Sequence, residues 1–179
     1  MGQDKAGLIF DGQSLWERQW AKLGALGASE LFISGKAGAP YAAAGSEVIE
    51  DPIAGVGPMS GIVAALRRGK HPWLVVLAVD LPDVTSDFLA GLLRESMTAG
   101  AGCVPACKDW LQPLAAVYPS ACLPIAEECL ASANRSVRRF FRRTSQAGLV
   151  TPRLVSSEEH AMFRNVNAPE DLLPSATAA

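Results

Sequence analysis

The segment WLVVLAVDLP, residues 73–82, decides the fold. Its first seven residues, 73–79, are uncharged and rich in valine and leucine, and Asp80 and Pro82 follow. An apolar run of this length with β-branched residues is typical of a strand buried on both faces. The Asp-Leu-Pro sequence after it is typical of a turn. We therefore predict a central parallel strand that ends at Asp80.

Asp80 is the first candidate for a chemical role. Open α/β sheets bind ligands at the carboxyl ends of their strands, where this acid would lie. A carboxylate in that position can bind Mg²⁺ together with water and substrate phosphates. An acid that only caps the following turn is the alternative.

Short apolar runs and helical repeats alternate around this segment. In the first half we predict strands at residues 31–34 and 47–50, and helices at 14–26, 58–68 and 86–97. In the second half we predict strands at residues 102–107, 113–118 and 149–155, and helices at 124–131 and 137–146. A polar turn at Lys108 and Asp109 would join the first two of these strands. The alternation indicates an α/β protein with a mostly parallel sheet and an antiparallel strand.

Bulk composition limits the range of functions. The chain has 179 residues, of which 49% are hydrophobic and 19% charged, as in one globular domain. Its net charge of −2 gives no general attraction to nucleic acid or to a membrane surface. No apolar run reaches the roughly 20 residues that span a bilayer. We expect a single domain over residues 1–174 and a disordered tail at 175–179.

The cysteine pattern argues against a structural metal site. None of the four cysteines forms a C-x-x-C pair, and the sequence has two histidines. We therefore expect reduced thiols in a cytoplasmic protein. The cysteines are Cys103, Cys107, Cys122 and Cys129.

A second candidate site follows the strand predicted at residues 47–50. Asp51 opens the segment DPIAGVGPMSGI, in which Gly55 and Gly57 precede a helix that begins at Pro58. Glycines allow backbone N–H groups to approach a nucleotide, and the N-terminus of this helix would face the same loop. Asp51 could then accept hydrogen bonds from a base or a ribose. An ordinary Gly/Pro turn with a solvated acid is the alternative.

Three further groups of polar residues are weaker candidates. Lys5 could neutralise phosphate charge, although a lysine near a chain terminus is more often solvated. Asn165 and Asn167 could read the polar edge of a heterocycle or serve as turn and capping residues. A cluster of arginines could bind a phosphorylated substrate, but a solvated helix face is the interpretation we favour. The cluster comprises Arg135, Arg138, Arg139, Arg142 and Arg143.

Five motifs, taken together, resemble the molybdenum cofactor guanylyltransferases. In chain order they are MGQDK, DPIAGVGPMSGI, AVDLPDV, QPLAAVY and FRNVNAPED. The segment GQSLWERQ is also similar to the part of that family ahead of its first helix. The resemblance spans nearly the whole chain and implies a three-layer Rossmann-like nucleotidyltransferase fold. The Asn-x-Asn-x-Pro-Glu-Asp ending favours the molybdopterin branch over sugar nucleotidyltransferases.

The resemblance implies a reaction and its partners. GTP and the phosphate of molybdenum-bound molybdopterin would give the guanine dinucleotide cofactor and pyrophosphate, with Mg²⁺ as cofactor. Molybdenum-insertion proteins and molybdoenzyme chaperones would be protein partners. The same chemistry with CTP or with another phosphorylated acceptor is one alternative. A non-catalytic protein that binds a nucleotide or molybdopterin is the other.

The matching motifs also assign roles to single residues. Lys5 would contact the nucleotide phosphates, and Asp80 would hold Mg²⁺. Asp51 would lie by the nucleotide, in the loop shaped by Gly55 and Gly57. On the pterin side the resemblance places Asn165 and Asn167.

One part of the family pattern precedes the motifs found here. The family opens with a strand and a glycine-rich loop just before its Met-Gly-x-Asp-Lys piece, and Met1 is the methionine of that piece. Without that strand we expect open sheet edges. Without its loop we expect this chain to catalyse the transfer reaction slowly. We favour a start codon assigned too late over a truncated, inactive form.

Overall fold

The computed structural model describes residues 5–35, 39–43, 46–107, 110–166, 168 and 171. The strands of this part are β1 (Ile9–Phe10), β2 (Gln13–Ser14), β3 (Ile33–Gly35), β4 (Val48–Glu50), β5 (Trp73–Leu77), β6 (Gly102–Cys107), β7 (Trp110–Leu111), β8 (Ala115–Pro119) and β9 (Val150–Leu154). Its α-helices are α1 (Leu15–Gly24), α2 (Pro40–Ala43), α3 (Pro58–Arg68), α4 (Ser86–Ala99), α5 (Leu123–Ala131), α6 (Val137–Gln146) and α7 (Ser157–His160). None of the helices in these ranges is long and apolar enough to cross a membrane.

The strands form a main sheet and two small ones. The main sheet has the order β5-β8-β6-β7, and β9 pairs with β6. Strands β3 and β4 form a separate parallel pair, and β1 and β2 an antiparallel hairpin. The α/β class is confirmed, but less of the pairing is parallel than we expected. Among the described strands only β3–β4 and β6–β9 run parallel, because β8 lies antiparallel between β5 and β6.

Alternate residues of the main sheet face two hydrophobic cores. Val104, Ala116 and Tyr118 pack in the first core with side chains of α3, α5 and α6. Their neighbours Cys103 and Val117 pack in the second core with side chains of α4. Because successive strand residues point to opposite faces, the sheet is the middle of three layers. The expected three-layer arrangement is therefore confirmed.

The helices follow the sequence signals closely. Helices α3 and α6 have the predicted bounds, and α4 extends two residues beyond residue 97. Ser14 caps α1 in a capping box with Glu17, as its position predicts. This helix ends at Gly24 rather than near Leu26, and Gly27 follows in a turn with φ 68°. The predicted polar turn at residues 108–109 lies outside the described residues.

The environment of β5 differs from our expectation. All five of its residues are only half-buried, and its partner β8 is antiparallel. Within the described residues no strand pairs with its other edge, which makes β5 an edge strand rather than a central one. A cavity of about 400 Å³ is lined by β5 and by Ser34 of β3 and Ile49 of β4. The expected open sheet edges are therefore present, and the prediction of a central strand is wrong. The prediction of two covered faces is confirmed, because Leu74 and Val76 pack against the first core and Trp73, Val75 and Leu77 against the second.

The one-sided pairing of β5 predicts a pattern of amide exchange. Ser120 N donates to Pro72 O and Ala78 N to Leu114 O, so the amides of Leu74 and Val76 also point toward β8. The amides of Trp73, Val75 and Leu77 then face the open edge. We expect them to exchange with deuterium faster than those of Leu74 and Val76, as measured by NMR. Equal protection of both sets would show that the open edge is covered.

Burial of the thiols predicts selective labelling. Cys103, Cys122 and Cys129 are buried, whereas Cys107 is partly exposed. Burial raises the pKa of Cys103 to about 11, with a contribution from Glu95, and raises that of Cys122 to about 12. These two thiols therefore stay protonated at pH 8, and we expect a thiol reagent to modify Cys107 first.

Mass spectrometry after short labelling checks this order. Cys107→Ser should remove the fast phase, and labelling in denaturant should reach all of the cysteines. Equally fast modification of Cys103 in the native protein would contradict the packing described here.

Candidate active site

A cavity of about 580 Å³ collects the residues proposed to bind the nucleotide. Its lining includes Lys5, Asp51, Gly55, Gly57 and Asp80. Trp16 and Trp20 of α1 add two half-buried rings, and Leu114 contributes from the segment before β8. The cavity is therefore lined by three separate parts of the chain: the N-terminal turn, the loop before α3 and the turn after β5.

Asp80 lies in the turn that follows β5. Its residue is half-buried, and its carboxylate makes no ion pair or hydrogen bond with any residue that the structure describes. Its backbone oxygen accepts a hydrogen bond from Val166 N at 2.8 Å. The main chain of Asp80 is thus held in place while its side chain is available to a ligand.

Two side chains of α1 contact the same turn. The Gln19 amide donates to Ala78 O at 2.9 Å and to Leu81 O at 2.8 Å. Lys22 Nζ donates to Gln19 Oε1 at 2.9 Å and also to Pro82 O. Burial, together with nearby Arg18, lowers the pKa of Lys22 to about 8, while Asp83 opposes the shift. Neither Gln19 nor Lys22 was among the candidate site residues predicted from the sequence.

Asp51 lies directly after β4 and is held by a neighbouring strand. Ser34 Oγ of β3 donates to Asp51 Oδ1 at 2.5 Å. Gly61 of α3 allows this contact, since a Cβ added there would lie 2.3 Å from Ser34 Oγ and 3.5 Å from Asp51 Oδ1. The close approach of α3 to β3 therefore depends on a residue without a side chain.

The loop between Asp51 and α3 has the backbone that its glycines predict. Gly55 and Gly57 have φ values of 74° and 86°, a region that favours glycine. A Cβ added at either position would meet no atom within 4 Å, so the space beside the loop is open. Ser60 Oγ accepts a hydrogen bond from Ile53 N at 3.0 Å and ties the loop to the first turn of α3.

The other candidates that the structure describes do not line this cavity. Asn165 is exposed, next to the Val166 that bonds the Asp80 turn. Asn167 lies outside the described residues. The arginine cluster contributes no residue to the cavity lining, and several of its members bond locally, as the solvated-face interpretation implied. Arg135 donates to Leu130 O, Arg139 to Asn134 O, and Arg143 pairs with Glu128.

Two residues at the site, Gln19 and Ser34, were not predicted from the sequence. Gln19 falls between Trp16 and Trp20 on the apolar face of α1, and a polar residue on that face was the available signal. Ser34 ends the apolar segment LFIS, at the carboxyl end of a predicted strand where ligand-binding residues gather. Neither signal indicates which group the side chain would meet.

A three-layer α/β fold in which carboxylates and a glycine-containing loop line one cavity beside the strand ends is typical of nucleotide-binding proteins. The chain belongs to the MobA-like NTP transferase domain family, whose pattern its residues 1–148 match. It is 34% identical to a probable molybdenum cofactor guanylyltransferase from Opitutus terrae, over 96% of this chain and 86% of that protein. It is 28% identical to the molybdenum cofactor guanylyltransferase of Pseudomonas putida KT2440, over 96% and 87% of the two chains.

Solved structures give the same result for the fold. The crystal structure of molybdopterin-guanine dinucleotide biosynthesis protein A from Archaeoglobus fulgidus matches with a TM-score of 0.77 at 26% identity. That match covers 96% of this chain and 88% of the other. A cytidylyltransferase from Thermus thermophilus, acting on 2-C-methyl-D-erythritol 4-phosphate, matches with a TM-score of 0.67 at 19% identity, over 94% and 90%. The expected nucleotidyltransferase fold is therefore confirmed.

Two helical glycines offer a test of how closely α3 packs on β3. Gly61→Ala places a Cβ 2.3 Å from Ser34 Oγ and 2.9 Å from Ser34 Cβ, so we expect a loss of about 1–3 kcal/mol in the free energy of unfolding. The matched control is Gly91→Ala in α4, where an added Cβ meets nothing within 4 Å. It should stabilise the protein by about 0.5–1 kcal/mol, because alanine favours a helix over glycine.

Urea unfolding of both variants measures the difference. Equal stabilisation by the two substitutions would show that α3 does not approach Ser34 this closely.

Proposed function

We propose that the protein transfers GMP from GTP to the phosphate of molybdenum-bound molybdopterin, forming the guanine dinucleotide cofactor and pyrophosphate. The observation that carries this proposal is the convergence of the nucleotide-binding motifs on one cavity of about 580 Å³. The names of the relatives in the same family support the choice of GTP and of the pterin acceptor. The relatives at 34% and 28% identity are named guanylyltransferases, whereas the cytidylyltransferase from Thermus thermophilus is 19% identical and supports the fold alone.

The charges around the cavity support a need for a cation. Among the described lining residues, Lys5 is a cation and Asp51 and Asp80 are anions. A nucleoside triphosphate is itself strongly negative, so the two carboxylates would repel it in the absence of a counter-charge. A divalent ion between Asp80 and the phosphates would turn that repulsion into attraction.

Asp80 fits the role of a Mg²⁺ ligand. The described residues hold no group of three or more His, Cys, Asp or Glu side chains that would bind a metal without help. Mg²⁺ commonly binds through one or two carboxylates, with water and substrate phosphates completing its shell. When bound there, Mg²⁺ would polarise the α-phosphoryl group and neutralise charge on the departing pyrophosphate.

The other residues would act by holding the reactants. The Lys5 ammonium group would contact the phosphates, and the backbone at Gly55 and Gly57 would allow the nucleotide to approach closely. Asp51 would accept hydrogen bonds from the nucleoside, and Asn165 and Asn167 would face the pterin. Such a site accelerates the reaction mainly by positioning and by charge neutralisation. Contacts with molybdenum-insertion proteins and molybdoenzyme chaperones, and a cytoplasmic location, stay predictions.

Single-turnover experiments test the reaction even if turnover is slow. The protein, in excess over molybdenum-loaded molybdopterin, is mixed with GTP and Mg²⁺, and the guanine dinucleotide product is separated by chromatography. We expect product and pyrophosphate with GTP and none with CTP. Transfer from CTP alone would favour the cytidylyl alternative. Tight binding of molybdopterin without transfer from either nucleotide would favour the binding-protein alternative.

Asp80→Asn tests the metal role in the same assay. The substitution removes the carboxylate charge and keeps the shape of the side chain, so the rate constant should fall by about 100-fold or more. Asp87→Asn is the matched control, because Asp87 is exposed on α4 and lies outside the cavity lining. A near-normal rate for Asp80→Asn would remove Asp80 from this role.

A further inference from the structure

The turn that carries Asp80 depends on hydrogen bonds from other parts of the chain. The bonds within the turn are long, at 3.4 Å from Leu81 N to Ala78 O and 3.4 Å from Val84 N to Leu81 O. Gln19 reaches the same two carbonyl oxygens, Ala78 O and Leu81 O, at 2.9 and 2.8 Å. The hydrogen bonds from α1 to these two oxygens are therefore shorter and stronger than the bonds within the turn.

Gln19 is committed to this contact by its surroundings. Its residue is 5% exposed, and both hydrogens of its amide donate to carbonyls that flank Asp80. Its oxygen accepts from Lys22 Nζ. A flipped amide would place the oxygen against two carbonyl oxygens, so the observed orientation is the one that satisfies every group.

Lys22 extends the same contact by one residue. Its ammonium group bridges Gln19 Oε1 and Pro82 O. Together with Val166 N, which donates to Asp80 O, these groups bond the backbone oxygens of Ala78, Asp80, Leu81 and Pro82. The main chain on both sides of Asp80 is thus fixed by donors from outside the turn.

We propose that Gln19, supported by Lys22, is a positioning residue that sets the place of the Asp80 carboxylate in the cavity. This inference rests on the proposed function, in which Asp80 holds Mg²⁺ against the nucleotide phosphates. Loss of the Gln19 donors would leave the two carbonyls with only their long bonds to Leu81 N and Val84 N and let Asp80 move. A displacement of about 1 Å in a reacting group can cost on the order of 100-fold in rate.

Gln19→Met tests the inference, because methionine keeps the length of the side chain and its preference for helix but has no donors. The matched control is Gln146→Met, the same substitution at an exposed glutamine at the end of α6. Single-turnover transfer is measured at varied Mg²⁺ and varied GTP. For Gln19→Met we expect a rate constant at least about tenfold lower and a Mg²⁺ requirement at least about threefold higher, with half-saturation by GTP within about twofold.

NMR gives a second measurement that does not require activity. In Gln19→Met the backbone amide signals of residues 79–81, 83 and 84 should shift and exchange faster, while those of α6 stay as in the unsubstituted protein. Gln146→Met should match the unsubstituted protein in both measurements.

The possible results separate the inference from the proposed function. A proportional loss of rate at every Mg²⁺ concentration, with lower thermal stability, would assign Gln19 to folding alone and overturn the inference. Unchanged turn signals would overturn it as well. Absence of GMP transfer by the unsubstituted protein would instead overturn the proposed function, and with it any catalytic meaning of the Gln19 contact.

Discussion

Antiparallel pairing between β5 and β8 is the constraint on which the rest of the structure depends. It aligns Leu74 with Tyr118 and Leu77 with Ala115, and the bond from Ala78 N to Leu114 O extends it to the last residue before the turn. This register fixes where β5 ends and therefore where Asp80 enters the cavity. Strand β8 also sends Tyr118 into one core and Val117 into the other. The two helical layers and the position of the carboxylate are consequently set by the same pairing.

The sequence predicted those features that depend on neighbouring residues. The bounds of α3 and α6 agree with the prediction because each helix has a regular apolar face against the first core. The positions of Asp80 after a strand and of Gly55 and Gly57 before a helix were also local signals, a strand end and a glycine-rich turn. That these segments line one cavity follows from the α/β arrangement, in which strand ends meet at one edge of the fold.

The features that the sequence did not predict depend on distant partners. The apolar residues of β5 are typical of a strand whose two faces are packed. They do not indicate whether a neighbouring strand or an open edge lies beside it. The role of Gln19 also depends on distant partners, because the carbonyls that it contacts are 59 and 62 positions away in the chain. Whether a buried amide has a partner is a property of the folded molecule, so a lone glutamine on an apolar helix face leaves its role open.

The two carboxylates of the cavity differ in a way that suits different ligands. Asp51 already accepts a hydrogen bond from Ser34, which holds one of its oxygens in a fixed direction. An oriented acceptor of this kind favours the directional N–H and O–H donors of a nucleoside. The Asp80 carboxylate has no partner among the described residues, while the backbone on both sides of it is bonded. A charge without a partner on a fixed main chain favours a cation, since the ion can complete its shell with water and phosphate without displacing a protein group. The division of roles proposed for Asp51 and Asp80 thus follows from what each side chain already contacts.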